Sequence, residues 1–127
     1  MPVVDYAALP AFSMRPGILG KWIAGAEHGA STLSVLLNLV EPAARVPRHY
    51  HQYEEVILVE EGEVWLALEA EHRYLAPGQA ALIPPNTVHA WGNAGPGRAR
   101  VLFIWPVREP FAPGNSTYVE GTPPQVS

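Results

Sequence analysis

Two histidines and a glutamate stand close together in the stretch RHYHQYEEVILV, residues 48–59. His49, His51 and Glu55 share odd numbering with the apolar residues that follow, so an unbroken strand would place all of these side chains on one face. Imidazole and carboxylate groups are costly to bury among apolar side chains unless something pairs with them. A divalent cation is such a partner, because it binds neutral imidazole and ionised carboxylate. The pattern therefore indicates a metal site better than it indicates ordinary core.

A third histidine follows later in the chain, in the stretch IPPNTVHAWGN. His89 comes directly after a short apolar run, and Trp91 shares its face if the chain is extended there. A single histidine in a strand is more often a surface or hydrogen-bonded residue. Three histidines and a carboxylate, however, form a mixed nitrogen and oxygen set that suits a divalent metal.

The elements that must position these side chains read as short strands. The 14 prolines and 11 glycines lie between apolar runs, which argues against long helices. STLSVLLNLV alternates with a period of two, and AALIPP, NTVHAWGN and RARVLFIWPV are further strand-like runs. EEGE, in which Gly62 can take a positive φ, joins EEVILV to VWLALEA and predicts a β-hairpin. Together these signals predict an all-β sandwich or barrel.

The ends of the chain carry weaker signals than its middle. Residues 1–20 are interrupted by prolines and are expected to be loop-like. Residues 108–127 carry proline, glycine and serine with little apolar periodicity, so they are expected to drape over the surface or to be partly disordered. We therefore expect one domain over residues 1–127, with the barrel at about 30–107.

Composition excludes several classes of function. The absence of cysteine excludes disulfides, thiolate metal sites and a cysteine nucleophile. Eight basic against 12 acidic residues give a net charge of -4 with no basic cluster, which argues against binding to nucleic acid or an anionic membrane. The apolar runs are far shorter than the roughly 20 residues that span a bilayer. The N-terminus lacks the pattern of a signal peptide, so the expected location is the cytoplasm.

Residues 43–93 resemble the two conserved motifs of the cupin superfamily. The first motif consists of a glycine, a His-x-His pair, a glutamate and a second glycine, and the second of a glycine, Pro-x-Gly, a histidine and an asparagine. The matching residues are His49, His51, Glu55 and Gly62 in the first motif, and Gly78, Pro84, His89 and Asn93 in the second. Two glycines of the motifs are replaced. Ala43 stands at the first, and Asn86 stands at the other, where asparagine is well suited to left-handed backbone.

The resemblance implies a fold, a ligand set and an assembly. The fold would be a small single-domain jelly-roll barrel, also called a double-stranded β-helix, with little or no helix. His49, His51, Glu55 and His89 would bind one divalent ion, which is Fe, Mn, Ni, Zn or Cu, with Fe or Mn favoured. Small members of the superfamily dimerise through sheet edges, and the apolar strand LSVLLNLV is a candidate edge for a homodimer.

The resemblance leaves the reaction open, because the superfamily includes dioxygenases, isomerases, decarboxylases, lyases, polyketide cyclases and binding proteins. A metal with open positions can bind dioxygen, water or a small oxygen-bearing organic molecule. The first hypothesis is a dioxygenase-type oxidoreductase. The second is a redox-neutral isomerase, lyase or polyketide cyclase, and the third is a small-molecule binding protein without catalysis. No residue is assigned a catalytic role beyond metal binding.

Five further residues are candidates for the surroundings of the metal. Tyr53, Trp91 and Phe103 either line a pocket or belong to the core. Trp105 has the same two interpretations, and the core is the favoured one. Asn38 lies on a predicted strand, where its amide either orients a ligand imidazole or faces solvent.

Overall fold

The computed structural model describes residues 1–126 and consists almost entirely of short β-strands. One 3₁₀ turn, Ala26–His28, is the helical element of this part of the chain. The strands are β1 Phe12–Arg15, β2 Ile18–Ala24, β3 Ser34–Val40, β4 Arg45–His51, β5 Glu55–Glu61, β6 Val64–Leu68, β7 His72–Leu75, β8 Ala80–Ile83, β9 His89–Asn93, β10 Ala99–Trp105 and β11 Ser116–Tyr118. Within the described residues, no helix has the length and apolar character needed to cross a membrane.

The strands form two antiparallel sheets. The six-stranded sheet has the order β1-β2-β3-β10-β5-β8, and the five-stranded sheet has the order β11-β4-β9-β6-β7. One apolar cluster contains side chains from both sheets, so the sheets pack face to face around a shared core. The predicted all-β jelly roll is confirmed.

Strand alternation determines which side chains enter this core. On β10, residues 99, 101, 103 and 105 are buried while the residues between them are partly exposed. Leu36 and Val40 on β3 and Ile57 and Val59 on β5 are buried in the same way. Because β10 pairs with both β3 and β5, these three strands form the apolar floor of the barrel.

The predicted hairpin between β5 and β6 is wrong. β5 lies between β10 and β8, whereas β6 lies between β9 and β7 in the other sheet. Gly62, with φ of 83°, carries the chain from one sheet to the other, and a Cβ there would lie only 2.9 Å from the Ala99 Cα. Alternation and a turn residue identified the strands correctly, but they carry no information about which strands pair.

The expectation of a loop-like segment over residues 1–20 is wrong from residue 12 onward, because β1 and the start of β2 lie there, whereas residues 1–11 are irregular. β2 pairs along β3, with Ile18 opposite Val40. Gly20 allows β1 to approach, since a Cβ at that position would lie 2.7 Å from the Met14 sulfur. The glycine interrupts the apolar pattern of the strand, which is why the sequence did not predict it.

Residues 108–126, which we call the C-terminal strap, are largely irregular but are tied to both sheets. β11 pairs with β4 and places Ser116 opposite His51 and Tyr118 opposite His49. The Gln125 N–H donates to the Met14 carbonyl at 2.9 Å, and the Trp22 indole donates to the Val126 carbonyl at 2.9 Å. The strap therefore closes over one end of the barrel instead of lying loosely on its surface.

The apolar strand LSVLLNLV is not a sheet edge. It forms β3, which lies between β2 and β10 with both of its edges paired. The prediction that it provides a dimer interface is therefore wrong, because its backbone groups are already hydrogen-bonded. The edge strands of the two sheets are β1, β8, β11 and β7.

Candidate metal centre

The four residues predicted to bind a metal meet inside the barrel. His49 and His51 lie on β4, and His89 lies on β9 directly opposite His49. Glu55 begins β5. The prediction of one unbroken strand from His49 onward is therefore wrong, because β4 ends at His51 and residues 52–54 carry the chain to the other sheet. Convergence survives the break because β4 and β5 both direct these residues into the space between the sheets.

The four side chains are buried and close together. The three histidines have nitrogen atoms that all lie within 4.8 Å of one another. Glu55 is 1% exposed, and its two oxygens lie 2.9 Å from the Nε2 of His51 and 3.2 Å from the Nε2 of His89. This spacing would allow all three imidazoles to bind one ion.

Two of the imidazoles are held by backbone carbonyls. The Nδ1 of His49 lies 2.7 Å from the Pro47 oxygen, and the Nδ1 of His89 lies 2.8 Å from the Thr87 oxygen. A carbonyl oxygen only accepts hydrogen bonds, so each Nδ1 must carry the proton. In the neutral ring, each Nε2 then directs a lone pair into the site, as a metal ligand requires.

The third imidazole is held by the C-terminal strap. The Ser116 hydroxyl donates its single proton to the Pro110 carbonyl at 2.6 Å. Its oxygen therefore accepts a hydrogen bond from the Nδ1 of His51, 2.8 Å away. The Nε2 of His51 makes no aligned hydrogen bond, and it lies 2.9 Å from a carboxylate oxygen of Glu55, which likewise presents a lone pair. A buried lone pair of this kind is satisfied by a cation.

The electrostatics of the site favour a positive charge at its centre. Burial would raise the pKa of Glu55, but the neighbouring imidazoles of His51 and His89 outweigh this effect and hold the pKa below its usual range. Burial, with the charge of His89, lowers the pKa of His49 to about 3. Burial also opposes protonation of His89, yet the hydrogen bond and charge of Glu55 raise the pKa of His89. The buried carboxylate is thus ionised and attracts whatever cation is available.

The residues present therefore fit a divalent metal ion. Three imidazole nitrogens and a carboxylate match the ligand preferences of Fe, Mn, Ni, Zn and Cu, and their arrangement does not distinguish among these metals.

Two aromatic residues complete the surroundings of this cluster. The indole N–H of Trp105 donates to the Oε2 of Glu55, the oxygen that faces His51, so the predicted core residue also fixes the carboxylate. Tyr118 of the strap stacks on the His49 ring, with centroids 4.9 Å apart. The sequence did not predict roles for Ser116 and Tyr118. The one signal that they give is the short alternation of STY within a segment that is otherwise typical of a loop.

The weaker candidates from the sequence have different positions. Trp91 and Phe103 are buried core residues that also line the cavity beside the cluster. Tyr53 stacks on His51 with ring centroids 5.5 Å apart and donates to the Pro110 carbonyl at 2.7 Å. Asn38 is buried, but its amide contacts the Met14 sulfur and the Leu37 carbonyl, so it neither orients a ligand imidazole nor faces solvent.

The cavity beside the cluster has a volume of about 30 Å³. This is the space of roughly one water molecule. Its outer wall is formed by Met14 and Arg15 of β1 and by Phe111, Tyr118 and Pro124 of the strap. An organic molecule therefore does not fit beside the four side chains unless part of this wall moves.

Comparison with known protein sequences identifies relatives along most of the chain. A family described as cupin domain matches residues 37–105. Polyketide synthase CurC of Streptomyces cyaneus is 31% identical over 127 residues, covering 98% of this chain and 80% of the relative. Protein SchB of Streptomyces halstedii is 29% identical over 102 residues, covering 80% of this chain and 74% of the relative.

Solved structures share the architecture at lower sequence identity. The polyketide cyclase RemF from Streptomyces resistomycificus superimposes with a TM-score of 0.79 at 21% identity, covering 96% of this chain and 87% of that one. KdgF from Halomonas sp. superimposes with a TM-score of 0.71 at 23% identity, covering 87% and 96% of the two chains. These structures establish the likeness of fold, and the sequence match establishes the family. The chain is a member of the cupin-domain family.

Proposed function

We propose that this protein is a metal-dependent polyketide cyclase that binds one divalent ion through His49, His51, Glu55 and His89. The observation that carries the proposal is the similarity to polyketide synthase CurC over nearly the whole chain. The buried imidazole cluster supports it, because its three Nε2 atoms and the ionised carboxylate of Glu55 suit a divalent cation. The RemF fold likeness is consistent with the same activity.

The proposed reaction is an intramolecular condensation. A carbon between two carbonyl groups loses a proton and attacks a third carbonyl carbon of the same chain. A carbon–carbon bond forms, the attacked oxygen gains a proton, and the hydroxyl leaves as water when the ring becomes aromatic. The bound ion would act as a Lewis acid that polarises a substrate carbonyl. No electrons leave the substrate, so the reaction needs no oxidant.

The chain's own residues would orient the substrate and exclude water. Trp91, Phe103 and Trp105 give the cavity an apolar wall, which limits hydrolysis of a reactive poly-ketone. Tyr118 also lines the cavity. Burial raises the pKa of Tyr118 to about 12. The charge of Arg15 acts in the opposite direction, and the charge of Glu55 adds to the effect of burial. The Tyr118 hydroxyl therefore stays protonated at neutral pH and is available to donate a hydrogen bond to a substrate oxygen.

A test under controlled oxygen separates this proposal from the dioxygenase that the sequence ranks first. Neither curated relative reported above is named as an oxygenase. Metal-loaded protein would be mixed with a linear poly-β-ketone made by a minimal polyketide synthase, with and without oxygen, and the products measured by mass spectrometry. We expect a cyclised product that has lost water and forms equally well without oxygen.

The matched controls are His51→Ala, which removes a proposed ligand, and His72→Ala, which changes an exposed histidine on β7. Oxygen uptake with a product that has gained oxygen atoms would instead indicate a dioxygenase. Tight binding without any product would indicate a small-molecule binding protein.

We also propose that the protein forms a homodimer through a sheet edge. Tyr74 on β7 and Leu82 on β8 are large apolar side chains on edge strands, 59% and 62% exposed. Light scattering after size-exclusion chromatography would measure the mass, and a monomer at all concentrations would contradict the proposal.

A further inference from the structure

A second, larger cavity lies on the other side of Phe111 from the metal centre. It has a volume of about 420 Å³ and lies between residues 22–27, at the end of β2 and the 3₁₀ turn, and residues 108–113 of the strap. Cavities that hold small organic molecules typically have volumes of roughly 300–1,000 Å³. The cavity at the histidines is more than ten times smaller, at about 30 Å³.

Of the residues that the structure describes, Phe111 is the one that lines both cavities. Its ring is 6.0 Å from the Trp22 ring in the outer cavity and 5.4 Å from the Trp105 ring in the inner one. Trp105 in turn donates to Glu55. The half-buried Phe111 side chain therefore forms a wall shared by the larger cavity and the cavity beside the proposed metal ligands.

The walls of the outer cavity suit a flat molecule with oxygen substituents. Trp22 and Phe111 present aromatic rings to the cavity. Because the Trp22 N–H already donates to the Val126 carbonyl, a ligand can interact with the face of the indole ring. Arg108 is the one cation among the described residues of this wall, which also contains the carboxylates of Glu27 and Glu109, and its Nε lies 3.9 Å from the nearest Glu109 oxygen. At that separation the guanidinium is loosely paired and can bind an enolate or phenolate oxygen.

We propose that the outer cavity binds a flat, enolised, oxygen-bearing part of a polyketide substrate and that Phe111 swings aside to admit the reacting carbonyls to the metal centre. This inference rests on the proposed function, because it places part of the proposed substrate in the outer cavity. Trp22 stacks on the substrate and Arg108 pairs with one of its oxygens. Phe111 keeps bulk water away from the histidines until the substrate arrives.

The experiment uses 1,2-dihydroxyanthraquinone as a flat, chelating probe whose absorption shifts when it binds a metal. In equilibrium titrations of metal-free and metal-loaded protein, we expect both forms to bind the probe. Trp22→Ala should raise the Kd roughly tenfold, since aromatic stacking contributes up to about 1.5 kcal/mol. Arg108→Gln should raise it by a smaller factor. Tyr6→Ala, which changes an exposed aromatic residue before β1, is the matched control and should leave the Kd unchanged.

Stopped-flow measurements on metal-loaded protein test the role of Phe111. We expect a fast binding phase that does not need the metal, followed by a slower absorption shift as the probe reaches it. Phe111→Ala should accelerate the second phase, and Phe111→Leu, which keeps most of the packing, should accelerate it less. Thermal unfolding of each variant checks that the strap remains folded.

Two results would overturn the inference. One is a wild-type protein that does not bind the probe, or binds it equally well after Trp22→Ala. The other is a second phase that Phe111→Ala leaves unchanged. Probe binding that depends on Trp22 in metal-free protein would support the outer site even if no cyclised product forms, so failure of the proposed function and failure of this inference are distinguishable.

Discussion

The three buried imidazoles are held in place by two different regions of the molecule. His49 and His89 each donate to the carbonyl of a residue two positions earlier in their own part of the chain. His51 instead donates to Ser116, 65 residues away, on the C-terminal strap. The first kind of support is made by backbone alone and belongs to the barrel. The second depends on one hydroxyl group in a segment of largely irregular structure.

This difference separates what a jelly roll provides from what this chain adds to it. The backbone carbonyls of Pro47 and Thr87 persist whatever side chains surround them. The Ser116 hydroxyl orients His51 only while its proton is taken by the Pro110 carbonyl, which also accepts the Tyr53 hydroxyl. We therefore expect the strap to control one ligand and the barrel to control the others.

Loss of a ligand should have the largest effect on metal binding, and the size of this effect should not depend on which region supports the ligand. Replacing His51 or His89 by alanine removes an imidazole from a site in which all three are buried within 4.8 Å of one another. We expect bound metal, measured by elemental analysis after reconstitution, to fall from one ion per chain to near zero. His72→Ala is the control and should retain the metal. Full occupancy in either ligand variant would show that the ion binds elsewhere.

The next largest effect should come from the strap. Ser116→Ala removes the acceptor for the His51 Nδ1, and loss of such a partner typically weakens metal binding by about 10- to 100-fold. Ser116→Thr keeps the hydroxyl and should restore most of the affinity, measured by competition with a chromophoric chelator. Thr117→Ala, an exposed neighbour on β11, should have no effect. Equal affinity for wild type and Ser116→Ala would mean that the barrel alone orients all three ligands.

A smaller effect is expected at the carboxylate. Trp105→Phe removes the N–H that donates to Glu55, which leaves a buried charged oxygen with fewer partners. Without metal, this should lower the free energy of unfolding by about 1–3 kcal/mol. With metal bound, the loss should be smaller because the cation compensates the charge. Chemical denaturation with and without metal measures both values, and Trp65→Phe, at a half-buried position on β6, controls for removal of an indole. An identical loss of unfolding free energy with and without metal would contradict the expected compensation of the Glu55 charge by the cation.

The smallest effects should come from the turns that lead into the barrel's own two ligands. Ala43, before β4, has a φ of 67°, and Asn86, before His89, has a φ of 60°. Alanine is strained in this region by roughly 1–2 kcal/mol, part of which is offset by the greater freedom of glycine in the unfolded chain. Ala43→Gly should therefore stabilise the protein by about 0.5–1 kcal/mol. Asn86→Gly should be nearly neutral in the same denaturation measurement, because asparagine tolerates a positive φ. Destabilisation by Ala43→Gly would show that the turn is not strained.

The sequence predicted the chemical content of the site better than the connections of the fold. Odd numbering and the second histidine stretch identified His49, His51, Glu55 and His89, because burial of polar groups on an apolar face leaves a local pattern. The sheet change after β4 did not disturb this prediction, since both strands direct these residues to the same interior. Pairing partners were not predictable in the same way, and the connection at Gly62 was mistaken for a hairpin.

Residues that support the site from distant parts of the chain left almost no recognisable pattern in the sequence. Ser116 and Tyr118 lie in a short strand of three residues, where the alternating pattern is too brief to distinguish from a loop. Gly20 and Lys21 interrupt the apolar pattern of β2, although close packing against β1 requires the glycine. Asn38 was expected near a ligand because of its polarity, but a methionine sulfur and a neighbouring carbonyl satisfy its amide.

The hydrogen bond between His51 and Ser116 also has a consequence for the order of folding. It joins residues 65 positions apart, and Ser116 lies on a three-residue edge strand that pairs with β4 alone among the described strands. So short a strand is stable only against a partner that has already formed, so this contact is expected to form late. A folding intermediate with paired sheets but a detached strap would therefore already possess two oriented imidazoles. In refolding experiments, high metal affinity should appear after the bulk of the β-structure and should report completion of the native state.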